Sequence, residues 1–331
     1  MEVGQCGSRE FVLDTSDWLE MNQLNVGIIS LAPRILSSAC PPRFMIRVVD
    51  SVFRDGIFDG KAVVTGGGTG IGKCIAHELC LLGCSVVIAS RKLETLEEAT
   101  KEIRAQLPPK HAARDDCVFP VQCDVREEDQ VKALFAKVMQ KFNRVDYVVN
   151  NAGGQFASPF ADLTLKGWNA VHRLNLTGTF LVTKYAYEAY MKDHGGAIVN
   201  IIINMDRGFP FASHSGSSRA AVENLSKSLA NEWAAKGIRV NCVAPGTILS
   251  SGVKNYGPDG YEMFVSHAKR WPAKRMGSVE EVSAAAVFLL SPASAYTTGT
   301  TAVIDGGWLV STSVMDLPDH DNFPVYGKSK L

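Results

Sequence analysis

The sequence predicts a single α/β domain built on a doubly wound, seven-stranded parallel sheet. Seven short apolar runs alternate with segments of helical periodicity, the pattern of a parallel sheet covered on both faces by crossover helices. The first run, Ala62-Val63-Val64, passes into a helix through Gly66, Gly70 and Gly72, spaced by four and then two. Of the 331 residues, 46% are hydrophobic, ample for such a core.

The elements follow in order. Beyond the glycines, Ile71, Ile75, Leu79 and Leu82 recur at helical spacing. A second strand is expected from Ser85 to Ser90, and a charged helix from about Leu93 to Leu107, stopped by Pro108 and Pro109. The third strand is expected from Cys117 to Cys123, ending at Asp124. The helix after it, from about Glu127 to Phe142, aligns Val131, Leu134, Phe135 and Val138. The fourth strand, expected over Val145 to Val149, runs into Asn150-Asn151-Ala152-Gly153-Gly154. A long helix is predicted from about Leu165 to Lys192, closed by Gly195 and Gly196. The fifth strand is expected over Ala197 to Ile203; a serine-rich turn then leads into a helix carrying Val222, Leu225, Leu229 and Trp233. The sixth strand is expected from Ile238 to Ala244. The chain then reads as irregular to about residue 277, before a helix near Val279 to Leu290 and a seventh strand from Thr301 to Asp305.

Residues 56–311 make up this domain, with an extension at 1–55 and a tail at 312–331. The extension is a poor secretory signal; it reads as a mitochondrial-type leader, a disordered arm, or a stretch ahead of an internal start at Met45. The tail ends in Ser329-Lys330-Leu331, the address read by the peroxisomal import receptor, so a peroxisomal location is expected. Lys+Arg and Asp+Glu both number 34, and this balance argues against a nucleic-acid or membrane-surface partner held by bulk charge. No run of 18 apolar residues occurs, so no membrane span is expected. The eight cysteines form no CxxC pair and read as small buried hydrophobes, with no metal site.

A strand that turns tightly into a helix aims several backbone N–H groups and the positive helix end at one point. Glycine lets the backbone make that turn and approach a pyrophosphate closely. The strand before Gly66 and the helix after Gly72 give the motif its required context. Dinucleotide binding by Gly66, Thr69, Gly70, Ile71 and Gly72 in a Rossmann-type domain is therefore expected. A binder of NAD usually places an acid about 20 residues beyond the glycines, to accept from the ribose hydroxyls. Strand two ends instead in Ser90-Arg91-Lys92. A hydroxyl and two cations suit a 2′-phosphate, so NADPH is the expected cofactor.

With TGGGTGIG (65–72), NNAG (150–153), NLTGTF (175–180) and APG (244–246) in place, the chain resembles the short-chain dehydrogenase/reductase family over residues 57–310. Within that family, GGQFASP (153–159), HSGSSRAAV (214–222), NYG (255–257) and PDHDNFP (318–324) look like the peroxisomal trans-2-enoyl-CoA reductases. The resemblance implies NADPH-dependent reduction of the 2,3 double bond of an acyl-CoA in fatty-acid metabolism, by a homotetramer. It places Asp124 and Val125 at the adenine, and Asn151, Ala152 and Gly153 along the middle of the cofactor. Pro245, Gly246, Thr247 and Ile248 fall at the nicotinamide end.

The same resemblance exposes what is missing. Most of the family uses a serine, a tyrosine, a lysine four residues later, and an asparagine on the long helix. Asn175 matches the asparagine, but Arg219 stands at the lysine position, Ser215 at the tyrosine and Ile202 at the serine. Reducing a ketone makes an alkoxide, which needs a proton from an acid of tuned pKa. Arginine stays protonated and cannot tune a partner in the same way. Reducing an enoyl thioester sends the charge into a far less basic enolate, which mainly needs hydrogen-bond donors at its oxygen. Conjugate reduction is thus favoured over carbonyl reduction. Arg219 is expected to grip the nicotinamide ribose, and Ser215 or His214 to meet the thioester oxygen, although helix capping would equally account for those two. Asn175, a poor mid-helix residue, is expected to hold a water or a kinked carbonyl. The block Lys269-Arg270-Trp271-Pro272-Ala273-Lys274-Arg275 either meets CoA phosphates with Trp271 lining an acyl groove, or is a solvated face. Two further readings stand beside the first: a 2,4-dienoyl-CoA reductase-type enzyme, and a catalytically silent NADPH-binding protein.

Overall fold

In the computed structural model, seven parallel strands stand side by side in the order β3-β2-β1-β4-β5-β6-β7. They are β1 Lys61–Thr65, β2 Ser85–Ser90, β3 Val118–Gln122, β4 Tyr147–Asn150, β5 Gly196–Ile201, β6 Ile238–Pro245 and β7 Thr301–Ile304. The main helices are α1 Gly70–Leu81, α2 Leu93–Gln106, α3 Glu128–Phe142, α4 over residues 165–194, α5 Ser213–Glu232, α6 Gly257–Ala268 and α7 Val279–Leu290. The structure describes residues 56–250, 252–253, 257–311 and 318–328, all within Ser51–Leu331, the second of the two units into which the chain divides. The extension at 1–55 and the tripeptide Ser329-Lys330-Leu331 lie outside the described residues.

Period-two alternation sorts the strand residues to two faces. Ala62, Val64, Val86 and Ile88 pack with Ile75 and Leu79 of α1, Leu96 and Ile103 of α2, and Val282 and Ala286 of α7. Val63, Val87, Val148 and Ile198 face the other way, onto Val131, Leu134 and Val138 of α3 and Leu181, Val182 and Met191 of α4. Val63 lies in register with Val87 on one side and Val148 on the other. Between β4 and β5 a buried polar chain replaces apolar packing. Asn150 donates to Thr183 Oγ1 (2.9 Å) and Asn200 Oδ1 (2.8 Å), and Asn200 donates to Ser226 Oγ (2.8 Å), tying α4 and α5 to the sheet. Its polar groups have no water to turn to, so it fixes how these elements dock.

The long helix forms where it is expected, as α4, but it is wound more widely at two places, π turns at Arg173–Thr177 and Tyr187–Met191. At the first, Thr179 Oγ1 takes up the Asn175 carbonyl at 2.8 Å, and the Asn175 side chain is drawn to the neighbouring loop. Such single-turn bulges often mark functional sites. The stretch before residue 277 is more ordered than expected, for it holds α6 and a two-stranded parallel ribbon of Ile248–Leu249 with Gly277–Ser278.

Arg239 of β6 runs beneath the C-terminal end of α7. Its guanidinium donates to the carbonyls of Leu289 (2.6 Å), Leu290 (3.0 Å) and Ser291 (3.1 Å) and to Ser294 Oγ (2.8 Å). The last carbonyls of α7 lack intrahelical donors, and the negative helix end suits a cation. Burial pulls the Arg239 pKa below the ordinary guanidinium value.

The six described cysteines are free thiols. Burial pushes Cys74, Cys123 and Cys242 up to about 11, the condition of packing residues rather than nucleophiles. No helix among the described residues is long and apolar enough to cross a membrane, and none of them form a cluster of three metal-ligating groups.

Candidate active site

The chain reverses direction across the sheet between β1 and β4, and in open parallel sheets ligands bind beyond the strand C-termini at such a switch point. There β1 ends at Thr65. Its hydroxyl accepts the backbone N–H groups of Asn151 and Ala152, both at 3.0 Å. The Asn151 amide returns to the carbonyls of Thr65 (3.0 Å) and Gly66 (3.3 Å). The glycine loop is thereby clamped to the loop after β4. Gly66 and Gly70 take the left-handed conformation, at φ +65° and +54°. At Gly72 a Cβ would lie 2.4 Å from Asn151 Nδ2 and 2.5 Å from the Gly66 carbonyl, so no larger residue fits unshifted. Thr69 sits extended at the N-cap of α1 and supplies no side-chain cap. The first-turn N–H groups of α1 have no intrahelical acceptor, and this cradle fits a pyrophosphate.

Ser90, Arg91 and Lys92 leave the end of β2, with both cations exposed. Gln122 of β3 donates to the Arg91 carbonyl at 2.9 Å. Beside them, Asp124 is committed to Arg126. Hydrogen bonds from that guanidinium hold the Asp124 carboxyl below its ordinary value, and the charge of Arg91 contributes. Val125 is buried and packs against Gly178 of α4, where a Cβ would come within 2.7 Å of it.

The second group gathers where α5 begins. Asn175, buried in the first π turn, accepts from Gly154 N–H at 2.9 Å and donates to Gly154 O (3.1 Å) and Ser218 Oγ (3.2 Å). It thus holds the loop at Gly154 through both the N–H and the carbonyl of that residue. Gly153 lies against Arg219, where a Cβ would meet Nη2 at 2.5 Å. Arg219 also donates to the Ile201 carbonyl at 2.7 Å. Ser215, fully buried, donates to Gln155 Oε1 at 2.9 Å. His214 is likewise fully buried, tilted on the ring of Phe156 at 4.4 Å, and neither ring nitrogen has a hydrogen-bond partner among the described residues. Burial, with the nearby His172, lowers its pKa, so its imidazole is neutral near pH 7 and keeps one N–H to donate.

The fold therefore joins Asn175, Gly153, Arg219 and Ser215 around one loop, and separately joins Gly66 and Gly72 to Asn151 and Ala152. Pro245, Gly246, Thr247 and Ile248 close the neighbouring strand end. Pro245 O accepts Asn204 N–H at 3.0 Å, Gly246 N–H reaches Ile304 O at 2.9 Å, and Ile248 is buried over Gly277. Ile202, at the family's serine position, packs with Val222, Cys242 and Ala244. Gln155, Ser218 and Thr65 belong to this framework and had no distinct signal in the sequence.

The basic block does not form one surface. Trp271 is 7% exposed and packs against Trp308 at 5.9 Å. Arg275 is held by Glu281 at 2.6 and 2.9 Å and by the Pro324 carbonyl at 2.7 Å, while Lys274 pairs with Asp319 at 3.5 Å. Of the block, Lys269 and Arg270 alone are exposed. The acyl groove read from Trp271 is thus not formed, because the indole is spent on the core.

A sequence profile described as enoyl-(acyl carrier protein) reductase matches residues 66–309. A Danio rerio peroxisomal 2,4-dienoyl-CoA reductase is 39% identical over 267 residues, covering 78% of this chain and 85% of the relative. The Saccharomyces cerevisiae peroxisomal 2,4-dienoyl-CoA reductase is 34% identical over 269 residues, covering 80% and 90%. Among solved structures, a citronellol catabolism dehydrogenase of Pseudomonas aeruginosa matches with a TM-score of 0.67 at 42% identity, over 78% of this chain and 98% of that one.

Proposed function

The chain belongs to the short-chain dehydrogenase/reductase family, and from that premise we propose that it reduces a carbon–carbon double bond conjugated to an acyl-CoA thioester, using NADPH. The observation that carries this reading is the donor set at the start of α5, where Ser215 and Arg219 stand in place of the family's tyrosine and lysine. NADPH, when bound, supplies a hydride. The glycine loop and the first turn of α1 would hold its pyrophosphate, and Ser90, Arg91 and Lys92 its 2′-phosphate. Arg219, lying against Gly153, would grip the nicotinamide ribose.

Negative charge then grows on the thioester oxygen of the substrate. The neutral His214 N–H is the donor set to meet it, and the Ser215 hydroxyl joins it on releasing Gln155 Oε1. Both are removed from water, where a donor already in place stabilises an oxyanion most. Asn175 acts at one remove, fixing Gly154 and so the loop that presents Gln155 to Ser215. The enolate is mild enough to take its α-proton from water or a weak acid, so no phenol is needed.

Two substrates fit this chemistry. The names of the curated relatives favour a 2,4-dienoyl-CoA. The segments at 153–159 and 214–222 favour a trans-2-enoyl-CoA by resemblance. The relatives' names and the terminal Ser329-Lys330-Leu331 together support a peroxisomal site of action and recognition by the import receptor, and the family supports a homotetramer. The deciding experiment follows oxidation of NADPH and of NADH with trans-2-decenoyl-CoA and with trans-2,trans-4-decadienoyl-CoA. At least one ester should turn over with NADPH, and the larger kcat/KM names the substrate. No turnover of either, or a preference for NADH, defeats the proposal.

A further inference from the structure

We propose that Phe156, Phe160 and Phe211 form an aromatic collar that receives the acyl chain of the substrate and sets chain-length preference. This rests on the acyl-CoA reading above. The rings are 42%, 72% and 65% exposed, an unusual display for phenylalanine on two adjacent loops. The loops are joined directly, for Ser158 N–H donates to Phe211 O at 2.7 Å. Neither stretch, Phe156-Ala157-Ser158-Pro159-Phe160 or Gly208-Phe209-Pro210-Phe211-Ala212-Ser213, contains a charged residue. An anionic headgroup finds no partner there; an alkyl chain does.

The collar is continuous with the site. Phe156 lies on the ring of His214 and follows Gln155, the partner of Ser215. A chain leaving the thioester passes the one ring and meets the other two within a few residues. Phe211 adds a second sign. It holds φ +59°, a left-handed conformation that costs a bulky residue stability, while its ring gains little burial in return. Trp271, the wall that the basic block offered for an acyl groove, is enclosed against Trp308.

The test measures binding of palmitoyl-CoA and acetyl-CoA by calorimetry in the presence of NADP+, for the wild type, Phe160→Ala, Phe211→Ala and Phe211→Gly. The wild type should bind palmitoyl-CoA the more tightly, and each variant should cut the palmitoyl-to-acetyl affinity ratio by about tenfold, the scale of one or two methylene groups in an apolar pocket. Phe211→Gly should do so while Tm holds or rises, because it removes the strain together with the ring. Equal affinities in the wild type, or unchanged ratios in all three variants, overturn the collar and leave the acyl-CoA reading standing. Failure to bind either ester overturns both. A change of oligomer mass in the variants, seen by light scattering, would instead make this face a subunit contact and also overturn the collar.

Discussion

Gly72→Ala should weaken NADPH binding by about thirtyfold to a hundredfold, whereas Gly68→Ala, four residues upstream in the same loop, should change it by less than about threefold. The contrast comes from what each new methyl group meets. At Gly72 it would lie 2.4 Å from Asn151 Nδ2 and 2.5 Å from the Gly66 carbonyl. Backbone cannot swing aside, and Asn151 can retreat only by releasing its bonds to Thr65 O and Gly66 O, the clamp that shapes the cradle. Two lost, partly buried bonds amount to roughly 2–2.7 kcal/mol, or the fold-change above. At Gly68 the nearest atom is the Thr95 methyl at 3.1 Å, on a side chain that can shift by tenths of an ångström. Fluorescence titration of both variants checks this; equal losses would mean that the Asn151 clamp is not what shapes the site.

Arg239→Met should lower the unfolding free energy by about 3–5 kcal/mol, the largest stability loss expected from a single side chain here. Methionine fills much of the volume but takes the guanidinium from the Leu290 carbonyl and from the Ser294 hydroxyl, and leaves the Leu289 and Ser291 carbonyls with Ser294 alone. Because α7 packs along α1, the damage extends toward the glycine loop. Arg239→Lys should recover only part of the loss, since an ammonium cannot span carbonyls that a planar guanidinium reaches from two nitrogens. Denaturant titrations measure both variants. A loss below about 1 kcal/mol for Arg239→Met would show that water satisfies those carbonyls equally well.

Both effects start from residues whose roles differ sharply in legibility. Gly72 could be read directly, because a strand, a glycine turn and a helix are written in local periodicity. Arg239 could not. Its partners lie about 50 residues away, and its sequence neighbourhood looks like any strand. The π turn at Asn175 showed only as an unfavourable residue in a helical stretch; the cause, a bond to Gly154 across 21 residues, is tertiary. Trp271 misled because four cations surround it in sequence while its indole turns inward to Trp308. Helix α6 was hidden by Gly257, Pro258 and Gly260, which read as loop chemistry. Ser215 and Arg219 were marked by their departures from a family pattern and His214 by its place beside Ser215, but the partners Gln155 and Ser218 emerge only when the loop and α5 are folded together.

The central claim is that this site handles a delocalised enolate and not an alkoxide. Its most direct test is the rate of NADPH oxidation with 3-oxodecanoyl-CoA, set against the better of the two unsaturated decanoyl esters. The unsaturated ester should lead in kcat/KM by at least about a hundredfold, the lower range of what a positioned acid contributes to carbonyl reduction. Equal or faster reduction of the 3-oxo ester would contradict it.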